Sequence, residues 1–286
     1  MLKIGFIGAG TVGTALAILL SEKGYRFVGA SRKSKTPAGG SSKTVSNLRM
    51  LGSNQEVADI ADLVFITTPD DAIAAVVSEV NWRSGQSVVH CSGADSTDVL
   101  EPACKAGAVV GGFHPLQTFA GIEQAVSNIP GSTFAIEAEE PLKTTLKEMA
   151  VNLGGNAIEL NAEDKAAYHA AAVFACNYLV TLVKLSTDLW QTFSIPPDKA
   201  TQSLLPLLRG TLNNIENIGI PNCLTGPIAR GDTGTITKHI NTLEEKAPAL
   251  VSTYREMGRQ TVPISLAKGK IDEQRSKELE TILAKK

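Results

Sequence analysis

The 286-residue chain has no clustered cysteines, no charge bias and no long unbroken apolar run. Its four cysteines (Cys91, Cys104, Cys176 and Cys223) lie far apart, without CxxC or metal-ligand spacing. A disulfide framework and a metal site are therefore not expected, and reduced thiols in a cytoplasmic protein are. Lys and Arg total 27 against 29 Asp and Glu, a net charge of −2, which excludes a nucleic-acid partner that needs clustered cations. No uninterrupted apolar run reaches bilayer length, so no membrane partner is expected. The apolar opening from Ile4 to Leu20 follows a single lysine and carries three glycines at fixed spacing, unlike a secretory leader. Internal repeats and low-complexity segments are also missing.

What is present begins at once. Leu2-Lys3-Ile4-Gly5-Phe6-Ile7 reads as a strand and runs into Gly8-Ala9-Gly10-Thr11-Val12-Gly13, after which Leu16, Leu19 and Leu20 continue at helical spacing. GxGxxG between a strand and a helix is the context of a dinucleotide site. Gly8 permits the tight turn, Gly10 lets a pyrophosphate approach, and Gly13 lets helix and strand pack closely. The first-turn N–H groups then face the anion. The next strand, Tyr25 to Ala30, ends without the Asp or Glu that would bind an NAD ribose. Ser31-Arg32-Lys33-Ser34-Lys35 stands there instead, a hydroxyl and three cations suited to a 2′-phosphate. The expected cofactor is NADP(H), held by Gly8, Ala9, Gly10, Thr11, Val12, Gly13, Ser31 and Arg32.

Short apolar runs at 63–66, 87–90 and 108–111, spaced by helical segments, predict a parallel sheet covered on both faces. Further strands are expected at 133–136 and 157–160 around a helix near 141–153. Proline and glycine are absent from Asn161 to Phe193. Asn161 with Asp164 resembles a capping box, and the helix it starts is apolar nearly all round, so it is expected to be buried. No strand signal follows. The expected fold is an α/β Rossmann domain at 1–160 and an all-α domain at 161–286.

Candidate site residues cluster at the strand ends, where open parallel sheets bind ligands. Thr67-Thr68-Pro69 is expected along the cofactor, and Ser92 and Gly93 near the substrate. His114 follows a glycine pair, and His90, His114 and His169 stand where they could converge. Lys165 and His169 are at i and i+4 on one helical face, facing a cleft between domains. A lysine there donates a proton or hydrogen bond to a carbonyl oxygen as hydride arrives, with His169 orienting it. Asn177 is a weaker candidate on the same helix. Arg230, in Leu224-Thr225-Gly226-Pro227-Ile228-Ala229-Arg230-Gly231-Asp232, either clamps a substrate carboxylate or pairs with Asp232.

Together with Thr67-Thr68-Pro69-Asp70-Asp71, His90-Cys91-Ser92-Gly93-Ala94 and Gly112-Phe113-His114-Pro115-Leu116-Gln117-Thr118-Phe119, these blocks resemble a little-characterised family of NADP oxidoreductases across nearly the whole chain. Its members join a Rossmann-like domain to a helical domain of unknown function. Related families are the β-hydroxyacid dehydrogenases, ketopantoate reductases and pyrroline-5-carboxylate reductases. The resemblance implies a helical domain like that of 6-phosphogluconate dehydrogenase, dimerisation through it, and reduction of a small carboxylate-bearing carbonyl compound, a ketopantoate-like 2-keto acid being preferred. Two of the related families place a catalytic lysine four residues before an asparagine; here Lys165 matches the lysine and His169 replaces the asparagine. Imine reduction is the alternative chemistry, and a non-catalytic NADP-binding sensor the alternative of another class.

Overall fold

The computed structural model describes residues 1–32 and 49–284; Lys33, Ser34, Lys35 and the Pro37–Ser42 loop lie outside the described residues. Two compact units divide the chain at Met1–Cys176 and Asn177–Lys286. The division comes after the change in composition at Asn161, because the start of the long helix stays with the first unit. Lys165 is tied there to the sheet.

The first unit alternates β1 (Lys3–Ile7), α1 (Thr11–Glu22), β2 (Arg26–Ser31), α2 (Asn54–Ile60), β3 (Leu63–Ile66), α3 (Asp70–Glu79) and β4 (Ser87–His90). It continues with α4 (Glu101–Lys105), β5 (Val109–Pro115), α5 (Ile122–Asn128), β6 (Thr133–Ala138), α6 (Leu142–Asn152) and β7 (Asn156–Glu159). The seven strands lie in the order β2-β1-β3-β4-β5-β6-β7. All neighbours are parallel except β5 and β6, which pair antiparallel with Gly112 opposite Glu137 and His114 opposite Ala135. That pairing extends β5 through His114 and Pro115, so His114 sits on a strand, not in the loop expected after residue 111.

The central strands are apolar on both sides because helices cover both faces. On one face Phe6 stacks on Phe65 with centroids 5.2 Å apart, and Phe113 on Phe134 at 4.7 Å. On the other, Ile7, Val64, Ile66 and Val88 pack with Val57, Ile73 and Val77. Each of these side chains contributes about 1.5–3 kcal/mol by leaving water, which makes the sheet a rigid platform for its carboxyl-end loops.

The proline- and glycine-free stretch forms a continuous helix from Ala162 to Gln191. It comprises a 3₁₀ turn (Ala162–Asp164), α7 (Lys165–Ala172), a π-helical turn (Val173–Asn177) and α8 (Tyr178–Gln191). Asn161 does not cap it as expected; its Nδ2 donates to Asp164 Oδ2 at 3.4 Å, and its side chain accepts no helix N–H. By length and composition alone, with a mean hydropathy of 1.5, this helix could cross a membrane. Expected to be buried, it is largely exposed: Lys165 is the buried residue of α7 and Thr187 that of α8.

The second unit adds α9 (Pro197–Ile218), α10 (Thr233–Lys246), α11 (Val251–Ala267) and α12 (Glu273–Ala284). Pro197 at the first position starts α9, and Gly219, at φ +75°, ends it. Ile236, Ile240, Val262, Ile271, Leu279 and Leu283 form the core, all from α10 to α12 and the link between them. Of the 22 residues of α9 only Ala200 is buried, while Leu205, Leu212 and Ile215, which share a helical face, are exposed. No strand occurs after Glu159 among the described residues.

Candidate functional site

The glycine turn is held from two sides. Gly8 and Ala9 donate their N–H groups to the Ser31 carbonyl at 3.0 Å, and the Thr67 hydroxyl donates to the Gly8 carbonyl at 2.7 Å. Gly8 has φ +104°, and a Cβ there would lie 2.7 Å from the Thr68 nitrogen. A Cβ on Gly13 would lie 2.3 Å from Thr67 Oγ1, so the helix can approach the strand only without one. Gly10 is different: a Cβ there meets nothing within 4 Å, because its face opens outward. With Gly8, Ala9 and Gly10 committed (Gly10 N–H donates to the Gly8 carbonyl at 2.8 Å), the N–H groups left for an anion are those of Thr11, Val12 and Gly13 in the first turn of α1.

Beside the turn lies a cavity of about 270 Å³ lined by Ile7, Gly8, Gly10, Arg32, Asn54, Thr67, Thr68 and Pro69, among others. It opens at the carboxyl ends of β1 and β3, the switch point of the sheet. Arg32 Nε and Thr68 Oγ1 are buried in it without a protein partner. These two orphans and the open face of Gly10 fit a nucleotide with an anionic ribose end. Ser31 departs from expectation: its hydroxyl is buried and donates to Asn54 Oδ1 at 2.7 Å. Asn54, the first residue of α2, therefore takes its place beside Arg32. Ser53 caps that helix by accepting from the Glu56 N–H at 3.1 Å, while Glu56 accepts from Gly52 N at 3.0 Å, which fixes Asn54 at the cavity wall.

A second cluster occupies the carboxyl ends of β4 and β5. Lys165 is 1% exposed, so it is not the solvated first-turn lysine of most helices. Its Nζ donates to the Ser92 carbonyl at 3.1 Å and lies 3.7 Å from Glu137 Oε2 on β6. Glu137 is anchored through Oε1, which accepts from the Thr97 N–H at 3.0 Å and the Thr97 hydroxyl at 2.8 Å. Burial pushes the Lys165 ammonium below its ordinary range, and Glu137 pulls it part of the way back. Gly112 makes room for this pair, since a Cβ there would lie 3.2 Å from Lys165 Nζ and 3.5 Å from His90 Nε2.

The three histidines do converge on this lysine. His90 is fully buried, accepts from the Ser92 N–H at Nδ1 (3.1 Å), and so carries its proton on Nε2, which has no protein partner. Burial, then the charge of Lys165, push it down to about 3. His114 Nδ1 is 2.9 Å from the Tyr168 hydroxyl, and the His114 and His169 rings meet edge to face with centroids 6.3 Å apart. Ser92 is not free for a substrate: its hydroxyl donates to Asp70 Oδ2 at 2.9 Å and accepts from the Ala94 and Asp95 N–H groups. Burial pushes the Cys91 thiol up to about 12, away from the reactive thiolate.

Glu137 and Tyr168 were not among the expected site residues. A lone acid within Thr133-Phe134-Ala135-Ile136-Glu137 and a tyrosine three residues after Lys165 were the available signals. Asn177 and Arg230 belong to the second unit, where both are exposed. The Thr235 N–H and hydroxyl, and to a lesser degree the charge of Arg230, hold the Asp232 carboxyl below its usual range, and Asp232 caps α10 by accepting from the Thr235 N–H at 3.0 Å. Among the described residues no cluster of ligands for a metal ion occurs.

Residues 1–115 match the Rossmann-like domain, and residues 132–261 match a domain of unknown function, DUF2520. The chain combines these two domains. Among solved structures it is similar to a Bacteroides fragilis protein provisionally assigned as an NADP oxidoreductase. That protein is 27% identical with a TM-score of 0.74, covering 92% of this chain and 98% of its own. It also resembles in fold the Plasmodium falciparum pyrroline carboxylate reductase solved with NADP bound, at 15% identity and a TM-score of 0.62, covering 99% and 98% of the two chains. A third is the reductive aminase of Aspergillus terreus in complex with NADPH, at 12% identity and 0.62, covering 99% and 92%. No curated protein sequence matches the chain significantly.

Proposed function

We propose that this NADP-dependent oxidoreductase reduces a small carbonyl compound bearing a carboxylate, with a ketopantoate-like 2-keto acid preferred. The observation that carries the reading is the buried Lys165 ammonium between the Ser92 carbonyl and Glu137, at the ends of β4 and β5. An enzyme that turns C=O into an alkoxide needs positive charge placed before the reaction, in a site that water does not screen. NADPH, when bound, supplies the hydride. The first-turn N–H groups of α1 hold its pyrophosphate, and Arg32 with Asn54 holds its 2′-phosphate. Lys165 stabilises the negative charge that grows on the substrate oxygen, and His169 orients the substrate.

Lys165→Ala should lower kcat for keto acids by about 10²–10³-fold, as loss of preorganised electrostatic stabilisation does, with the Kd for NADPH nearly unchanged. Unaltered turnover in that variant would remove Lys165 from the chemistry. Assaying ketopantoate beside a cyclic imine carboxylate, both with NADPH, separates carbonyl from imine reduction.

The partner expected for α8 and α9, two helices joined by residues 192–196 and left with bare apolar faces, is a second copy of the chain. The core of the second unit takes no residue from either helix, and Val180, Leu207 and Ile218 stay exposed. An apolar face of that extent belongs in a homodimer interface. Its four free cysteines suit a reducing cytoplasm.

A further inference from the structure

His114 lies at the end of β5 with its ring edge-on to Tyr168 of α7. The Tyr168 hydroxyl is 2.9 Å from His114 Nδ1. Burial pushes the phenol up to about 12, so Tyr168 keeps a proton that it can donate to His114 Nδ1. A neutral imidazole that accepts at Nδ1 carries its one proton on Nε2. Burial first, then Lys165 and His169, push His114 down to about 4, so the ring is neutral at physiological pH. Its Nε2 faces the α-carbon of Gly93, where a Cβ would lie 2.8 Å away and also 2.9 Å from the His169 ring. A side chain at residue 93 would therefore crowd that N–H.

We propose that Tyr168 is a positioning residue that fixes His114 as the Nε2–H tautomer, and that His114 is the neutral hydrogen-bond donor to the oxygen of the substrate. The proposal rests on the reductase reading given above. A hydride from NADPH, whose own C–H bond would break as it is oxidised to NADP⁺, forms the new C–H bond at the carbonyl carbon, and the π pair of C=O moves onto oxygen. That oxygen accepts from His114 Nε2–H as its charge grows, and a proton from solvent completes the alcohol. The division of labour follows from burial: Lys165, 1% exposed, acts through its charge, while the half-buried His114 makes the contact. A neutral imidazole can polarise a carbonyl in this way without an imidazolium, and the wrong tautomer of a catalytic histidine is costly.

The test begins without substrate or cofactor. Long-range ¹⁵N–¹H spectra of protein labelled at histidine report the proton position on each ring, and His114→Gln identifies the His114 signals. The expected result is an Nε2–H pattern at His114 that is constant between about pH 6 and 8, with Lys165, His169 and His90 the charged or titratable groups around it. Tyr168→Phe should convert it to a mixture of tautomers. The same variant should lower kcat on the order of tenfold, the value of one hydrogen bond, with the Kd for NADPH unchanged. His114→Gln, whose amide N–H can take the place of Nε2–H, should keep more activity than His114→Ala. An Nδ1–H pattern in the parent protein, or an unchanged tautomer in Tyr168→Phe, would overturn the proposal. So would a shifted tautomer with undiminished kcat. A fixed Nε2–H ring in a protein that reduces no carbonyl compound would refute the reductase reading and the donor role with it, while the tautomer lock itself would stand.

Discussion

Replacing Glu137 with glutamine should weaken the first unit through Lys165. The side chains of this ion pair are 2% and 11% exposed, so the ammonium left behind has no water to turn to. Breaking a buried pair costs roughly 3–5 kcal/mol. The 3.7 Å separation and the bond that Lys165 keeps to the Ser92 carbonyl place the loss near the lower end, about 3 kcal/mol. For a unit of this size that is a fall of about 6–12 °C in Tm. The assay can be confined to the first unit, because the two tryptophans fall one to each: Trp82 is packed in the sheet core and Trp190 is in α8. In a Trp190→Phe background, Trp82 fluorescence follows the first unit alone.

The pH dependence has a definite sign. Glu137 raises the Lys165 pKa against burial, so Glu137→Gln lowers it further below its unfolded value. Between the two values the unfolded chain binds more protons, so the variant should gain stability as pH rises through that window. In a Lys165→Met background the same Glu137→Gln change should cost less than about 1 kcal/mol, because no buried cation is left unpaired. Equal costs in the two backgrounds would refute the argument that the pair, not the site, carries the energy.

Gly10→Ala should leave Tm unchanged yet weaken NADPH binding at least about tenfold, since the methyl meets no protein atom and enters the path of the pyrophosphate; equal affinities would refute the cradle. Gly13→Ala should destabilise the first unit even without nucleotide, as its methyl collides with Thr67 Oγ1, and thermal melts will show it. Arg32→Ala should cost roughly 1.5–3 kcal/mol of NADPH affinity and far less of NADH affinity, read by fluorescence titration of both. If the proposed dimer forms through this face, Leu207→Glu together with Ile215→Glu should yield a monomer where the parent protein is a dimer in light-scattering measurements, and an unchanged mass would remove this face from the interface.

The glycine turn could be read from the chain because its partners are adjacent: a strand before, a helix after, and the geometry of one turn between. The meeting of His90 and His114 was readable for a related reason, since strand ends of a parallel sheet meet at one edge; His169 joins them from α7. Glu137 was not, because its role depends on register. Only the antiparallel pairing of β6 brings it opposite Gly112, and no local pattern around residue 137 announces that reversal. Ser31 looked like a phosphate ligand for the same want of long-range information, as Asn54 draws its hydroxyl inward from 23 residues away. The burial expected of the long helix fails on another point: periodicity reports that a face is apolar, not what covers it.

The bare faces of α8 and α9 have a consequence for how the protein must be handled. The core of the second unit is built from α10 to α12 and the link before α12, so the apolar side chains of α8 and α9 lie outside it. With the proposed second copy in place, folding and dimerisation become one equilibrium, and the midpoint of unfolding moves with protein concentration. A melting temperature for this chain then describes a solution at a stated molarity, and dilution alone acts as a denaturant.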